Sequence, residues 1–254
     1  MLRFAVMFAA LELAIAAGVT GWYLGLVANV AVTVLAVMLM TRRRLWKSTG
    51  MLTRWRSWAA LLALLPLVVE ALSWALPAGL RVQTPGYLLW GCTLLLVGVN
   101  EELISRGVVL SRLQGVFGPV GAVTLTAALF GLQHLSAFVL TSRQAGDILG
   151  NVALSAVAGF ALAAYQCRFR WLWPLILVHA TADFTVVLAA RPLPDLLIAL
   201  GHALLLALGI ALLRWPGAGG GSGLALPAPS VEGRAGVLPR PRASDTGRPD
   251  SNAR

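Results

Sequence analysis

The feature that most constrains this chain is a series of apolar runs, each of about 20 residues, which follow one another from Phe4 to Leu213. A helix of about that length crosses the hydrocarbon core of a bilayer. The chain is 58% hydrophobic and only 12% charged, which exceeds what a soluble core of 254 residues can hide from water. We therefore predict an all-α fold, a polytopic transmembrane helix bundle.

The apolar runs predict about eight spans. Residues 4–40 would form one helix of about 55 Å at 1.5 Å per residue, so we divide them into two spans at residues 18–21. The other predicted spans are 58–78, 87–110, 120–141, 148–166, 171–190 and 195–213. The predicted organisation is an N-terminal two-helix segment with a basic loop (1–57), a helical core (58–213) and a tail (214–254). The Gly, Pro, Ser, Ala and Arg composition of the tail predicts disorder.

The basic residues predict an orientation. The chain carries a net charge of +10, and its Lys and Arg residues lie mostly between the apolar runs, as expected for contact with anionic lipid and not with nucleic acid. If the basic loop 41–58 is cytoplasmic, most other charges fall on the same side: Arg3, Arg112, Arg168, Arg170 and Arg214. Only three fall opposite: Arg81, Arg143 and Arg191. We expect an integral protein of a bacterial plasma membrane with both termini in the cytoplasm.

Ionisable side chains inside spans mark the candidate site, because each costs about 2.5–3.5 kcal/mol to insert and usually faces the interior of the bundle. Glu102 and Arg106 are four residues apart on one helical face, which predicts an ion pair. Glu101 points about 100° away and is predicted to be free to act on another group. Three further ionisable residues are interpreted as structural: Glu12, Glu70 and His202.

Two more predicted spans carry a histidine with a partner one turn away. Phe130 and His134 share a helical face, and Gly131 between them leaves room for a close neighbouring helix. His179 and Asp183 have the same spacing, which lets the carboxylate orient the imidazole or join it on a metal. If these groups converge with the two glutamates, the set suits either general-base hydrolysis or a His/carboxylate metal site.

The three motifs, Glu101-Glu102-x-x-x-Arg106, Phe130-x-x-x-His134 and His179-x-x-x-Asp183, resemble in order those of the CPBP family of intramembrane proteases. That family includes the type II CAAX prenyl endopeptidases and the bacterial Abi or bacteriocin-processing proteins. The resemblance implies an eight-helix fold and an intramembrane peptidase, dependent on glutamate and histidine or on a metal. The implied substrate is a membrane-associated peptide or protein, with the prenylated CAAX tail as the best-known example.

The resemblance also implies a role for each residue. Glu101 would be the general base that acts with His134 on the attacking water, while Glu102 and Arg106 order the site. His179 and Asp183 would stabilise the oxyanion or bind a metal, and zinc on Glu101, His134 and His179 is the metal alternative. The prenyl endopeptidases usually have Asn where this chain has Asp183. Since an ionised carboxylate cannot donate a hydrogen bond, we favour a role for Asp183 on His179 or on a metal.

Two other functions use the same residues. A proton-coupled transporter would relay protons through these acids and histidines, although the spans contain no evident inverted repeat. A non-catalytic membrane scaffold or immunity factor would keep the fold without the chemistry. Dependence on an ion gradient distinguishes transport from hydrolysis, and partner binding that survives substitution of Glu101 and His134 would indicate the scaffold.

Overall fold

The computed structural model describes residues 2–215, and these residues form α-helices without a β-strand. The prediction of a disordered tail over 214–254 therefore lies almost wholly outside the described residues. The helices are α1 Leu2–Ala16, α2 Trp22–Arg42, α3 Trp58–Ser73, α4 Tyr87–Glu102, α5 Leu110–Leu132, α6 Ala137–Leu140, α7 Ala145–Phe169, α8 Leu172–Leu188 and α9 Asp195–Arg214. A π-helical segment, Leu103–Val109, joins α4 to α5, and a 3-10 turn, Gln133–Ser136, joins α5 to α6.

Four helical segments of the described chain are long and apolar enough to cross a membrane: Trp22–Arg42, Tyr87–Leu140, Ala145–Phe169 and Asp195–Arg214. Helices α3 and α8 are apolar but shorter. The described residues are thus all-helical, the protein is an integral membrane protein, and the count of about eight spans stays a prediction.

The helix boundaries agree with the predicted spans at some points and differ at others. The predicted division at residues 18–21 is confirmed, since α1 ends at Ala16 and α2 begins at Trp22. The predicted division between the spans 87–110 and 120–141 agrees with the structure, because the helical segment Tyr87–Leu140 is broken by a kink at Gly118, whose backbone is non-helical (φ 67°, ψ -179°) and is followed by Pro119. A positive φ suits glycine, which has no Cβ, so Gly118 can interrupt the helix at this point with little strain.

Helix α8 lies between two apolar clusters, and this position places the candidate site. Leu175 and Val178 pack in one cluster with side chains of α3, α5, α7 and α9, while Leu172 and Ile176 pack in the other with α2 and the π-helical segment. Small residues bring α4 close to α8, since a Cβ added to Gly98 would lie 2.8 Å from the Ile176 carbonyl oxygen. The last turn of α4 is therefore held beside the middle of α8.

The loop between α2 and α3 packs on the junction of α7 and α8. The Gln166 amide donates a hydrogen bond to the Thr49 carbonyl at 2.8 Å, and the indoles of Trp171 and Trp173 donate to the Thr53 carbonyl, each at 2.8 Å. The segment after α3 meets the end of α8 instead, where the Arg81 amide donates to the Leu188 carbonyl at 2.8 Å. The two junctions thus lie at opposite ends of α8.

Candidate active site

A fully buried ion pair stands at the centre of the candidate site. The Arg106 Nη1 atom donates to Glu102 Oε1 at 2.8 Å, and neither side chain is exposed. Arg106 also donates to the Gly159 carbonyl at 3.3 Å, and its guanidinium carbon lies 4.1 Å from the centre of the Phe130 ring. The predicted pairing of Glu102 with Arg106 is confirmed. The π-helical segment that carries Arg106 is of a kind often found at functional sites.

His179 connects this pair to the other acids of the site. Its Nδ1 atom lies 2.7 Å from Glu102 Oε1, so that one oxygen contacts both Arg106 and His179. Its Nε2 atom lies 3.7 Å from Glu101 Oε2 and 3.5 Å from Asp183 Oδ2. The one-turn spacing of His179 and Asp183 therefore places them side by side, as predicted. Around the His179 imidazole, α4 contributes two acids and α8 contributes one.

Glu101 is not free, contrary to the prediction from its helical angle. Arg3 Nη2 lies 2.5 Å from Glu101 Oε1, and Gln133 Nε2 donates to Glu101 Oε2 at 2.9 Å. Arg3 also donates through Nη1 to Gln133 Oε1, which closes a ring of three side chains. The sequence placed Arg3 among the cytoplasmic loop charges, whereas the structure places it in α1 and directs it into the bundle.

His134 lies in the 3-10 turn after α5 and not in the predicted continuous helix. Its ring still packs edge-on against Phe130, with centroids 5.6 Å apart. The Nδ1 atom lies 3.1 Å from the Phe130 carbonyl oxygen and 3.3 Å from that of Gly131. Since a carbonyl only accepts hydrogen bonds, Nδ1 is assigned the proton, and Nε2 is the atom left for chemistry.

Two cavities meet at His134. A cavity of about 250 Å³ is lined by Glu101 and His134 together with Arg3 and Gln133. A second cavity of about 410 Å³ is lined by His134, His179 and Asp183 and by largely apolar walls. Within residues 2–215, His134 forms no ion pair with either glutamate, so the space between Glu101 and His134 is shared cavity and not direct contact.

Comparison with known proteins identifies the segment that holds these groups. Residues 83–185 match the family described as type II CAAX prenyl endopeptidase Rce1-like. This segment covers less than half of the 254 residues; it is similar to that family and is referred to as the Rce1-like domain. The domain contains all six predicted site residues and supports a membrane protease, which confirms the resemblance found in the motifs. No curated protein and no solved structure matches the chain.

The Rce1-like domain does not contain every residue of the site. Arg3 lies outside the matched segment, and it was interpreted only as a cytoplasmic charge because a single basic residue before an apolar run is typical of a loop anchor. Gln133 lies inside the domain and directly precedes His134, which was the only available hint of its role. The contacts between Arg3, Gln133 and Glu101 join three separate helical segments, so no local spacing predicts them.

Of the three residues interpreted as structural, Glu70 and His202 line the larger cavity and Glu12 does not. Glu70 accepts a hydrogen bond from the Trp74 indole at 2.9 Å, and His202 Nδ1 lies 2.9 Å from the Ile198 carbonyl oxygen. Both also line the larger cavity, so they are closer to the site than predicted. Glu12 is exposed on α1 and contributes to neither cavity.

The predicted zinc ligands, Glu101, His134 and His179, do not form one compact cluster among the described residues. The described part of the chain has no group of three or more His, Cys, Asp or Glu side chains that could hold one ion. Both oxygens of Glu101 already accept hydrogen bonds, one from Arg3 and one from Gln133. Zinc on these three residues therefore stays a prediction.

Proposed function

We propose that this protein is an intramembrane endopeptidase that hydrolyses a peptide bond of a membrane-anchored substrate, with Glu101 and His134 activating water. The observation that carries the proposal is the different surroundings of two adjacent glutamates. Glu102 is completely buried between Arg106 and His179, whereas Glu101 is 7% exposed and lines a cavity together with His134. One glutamate is thus suited to order the site and the other to meet water.

In the proposed reaction, a water molecule binds between Glu101 and His134 Nε2. Its oxygen forms a bond to the carbonyl carbon of the substrate as its proton passes to the Glu101 carboxylate. The same proton then passes to the amide nitrogen as the carbon–nitrogen bond breaks, which leaves an amine and a carboxylic acid that keeps the second proton of the water. His134 Nε2 orients the water by accepting its second hydrogen. The low polarity of the surroundings strengthens these interactions because little bulk water competes.

The remaining site residues hold this arrangement in place. Arg106 and Glu102 fix the end of α4, and His179 links Glu102 to the Glu101 and Asp183 carboxylates. Asp183 lies beside His179, which supports a role on that imidazole in preference to direct contact with an oxyanion.

The larger cavity supports a substrate that arrives from the membrane. Its walls include apolar side chains from four helices: Leu67, Leu154, Leu162, Val178 and Leu205. Such walls suit an apolar peptide or an attached lipid chain, so a prenylated CAAX-type peptide is the first substrate to test. Both the enzyme and its substrate are expected to lie in the lipid bilayer.

The proposed topology has about eight spans with both termini in the cytoplasm of a bacterial cell. Two observations support it. The basic loop after α2 packs on the junction of α7 and α8, which carries Arg168 and Arg170, and the Arg168 guanidinium carbon lies 5.8 Å from the Trp215 ring centre. The basic loop, this junction and the end of α9 therefore lie at one end of the bundle, as expected for cytoplasmic Lys and Arg.

The test is cleavage of an internally quenched, farnesylated CAAX peptide by the full-length protein in detergent, where no ion gradient exists. We expect the wild type to cut one peptide bond, which mass spectrometry of the products would locate. His134→Ala should lose most of this activity, while the matched control Glu12→Gln, on an exposed position of α1, should keep it.

Two other results would contradict the proposal. No cleavage by the wild type would favour the membrane scaffold, especially if a partner still bound to the His134→Ala variant. Activity that appeared only with an ion gradient across reconstituted vesicles would indicate transport. Equal cleavage by the wild type and His134→Ala would remove His134 from the mechanism.

A further inference from the structure

We propose that Arg3 is a positioning residue for Glu101 and that helix α1, outside the Rce1-like domain, completes the active site. This inference rests on the proposed function, because it assigns a task to the contact between Arg3 and the proposed base. The Arg3 side chain is 17% exposed and reaches Glu101 across 98 positions of sequence. The Arg3 guanidinium thus brings a positive charge from α1 to the site.

The contacts hold both oxygens of Glu101 from one side. Arg3 donates to Oε1, Gln133 donates to Oε2, and Arg3 also donates to the side-chain oxygen Oε1 of Gln133. Rotation of the carboxylate would break two of these contacts together. Each carboxylate oxygen can accept two hydrogen bonds, so one acceptor position on each oxygen is left for water. Arg3 and Gln133 can thus orient the base without exhausting its capacity to accept a proton.

The charges of the site give a second reason to assign Arg3 a role beside Glu101. Glu101, Glu102 and Asp183 place three carboxylates around His179, while Arg106 is engaged with Glu102. Two adjacent carboxylates repel each other strongly where water is scarce. Arg3 supplies a second guanidinium at 2.5 Å from Glu101, which offsets that repulsion on the side away from Arg106.

Helix α1 also forms part of the cavity wall. Phe4 and Met7, one and four positions after Arg3, line the same cavity as Glu101 and His134. Helix α1 packs mainly on α2, and its first turn is the part that reaches the site. A chain that lacked α1 would lose both the wall and the cation, although its Rce1-like domain would be intact.

The experiment compares steady-state cleavage of the farnesylated CAAX peptide by full-length wild type, Arg3→Ala and Arg3→Lys. Because displacement of a catalytic group by about 1 Å costs on the order of 100-fold, we expect Arg3→Ala to lower kcat by roughly 10- to 100-fold. KM should change little, since Arg3 acts on the base and not on bound substrate. Arg3→Lys should recover part of kcat, because an ammonium keeps the charge but lacks the planar fork that reaches both partners.

A chemical rescue separates positioning from a general loss of structure. Millimolar guanidinium chloride should raise kcat of Arg3→Ala several-fold and leave kcat of the wild type unchanged. Sodium chloride at equal ionic strength should change kcat of neither protein. The charge-matched control is Arg43→Ala at an exposed position, which should cleave at the wild-type rate. If Arg3→Ala does not fold, Gln133→Ala removes the other donor to Glu101 and should lower kcat in the same way.

The outcomes distinguish this inference from the proposed function. If the wild type cleaves and Arg3→Ala and Gln133→Ala keep its kcat, the inference is overturned and the peptidase assignment stands. A higher kcat in Arg3→Ala would also overturn it, because the contact would then be inhibitory. If the wild type cleaves nothing, the proposed function fails first and the role of Arg3 fails with it.

Discussion

Replacement of Arg106 by Met tests the energetics of the site without any assay of activity. The substitution leaves a chain of similar length but removes the cation from Glu102, which is completely buried. It also removes the hydrogen bond to Gly159 and the contact with the Phe130 ring. Breaking a buried ion pair by removal of one partner typically costs about 3–5 kcal/mol. His179 still contacts Glu102 at 2.7 Å, so we expect the lower end, about 3 kcal/mol.

The measurement is the free energy of unfolding in detergent by titration with sodium dodecyl sulfate, followed by the fluorescence of the nine tryptophans. Glu102→Gln in the Arg106→Met background removes the unpaired charge, so the double variant should be more stable than Arg106→Met alone. Arg43→Met is the matched control, because Arg43 is exposed and the same charge is removed. A loss below about 1 kcal/mol for Arg106→Met, which is usual for polar contacts between membrane helices, would refute the reasoning.

Three further predictions follow from other parts of the structure. Gly131→Val should lower the free energy of unfolding by about 1–3 kcal/mol, because a Cβ there would lie 2.6 Å from the Val152 carbonyl oxygen and 2.7 Å from the Ala156 Cβ. An unchanged unfolding midpoint would contradict the close approach of α5 and α7. Tyr165→Phe should cost about 1 kcal/mol by the same titration, since it removes the buried hydrogen bond to the Ala60 carbonyl at 3.0 Å. Cleavage should persist in a zinc chelator, and loss of activity that added zinc restores would show that the site rearranges to hold a metal.

The sequence predicted the contacts that lie within one helix. Glu102 with Arg106, Phe130 with His134 and His179 with Asp183 are each one turn apart, and regular helical geometry brings such residues together. Those contacts depend on local spacing alone. The division between α1 and α2 was predicted from the length of the apolar run, and two glycines with positive φ, Gly18 and Gly21, stand there in the structure.

The contacts that the sequence did not predict join different helices. Glu101 appeared free because its own helix offers it no partner, yet Arg3 and Gln133 approach it from α1 and from the turn after α5. The π-helical segment has no signature in composition, and it depends on the packing of the helices around it. His134 was predicted to lie within a continuous helix, but α5 tightens into a 3-10 turn that begins at Gln133.

The most direct test of the central claim is the cleavage rate of Glu101→Gln under single-turnover conditions with the farnesylated peptide. Glutamine keeps the shape of the side chain but cannot accept the proton of the attacking water. We predict that this variant remains folded and cleaves at least about 100-fold more slowly than the wild type. Cleavage at the wild-type rate would show that Glu101 is not the base and would contradict the assignment.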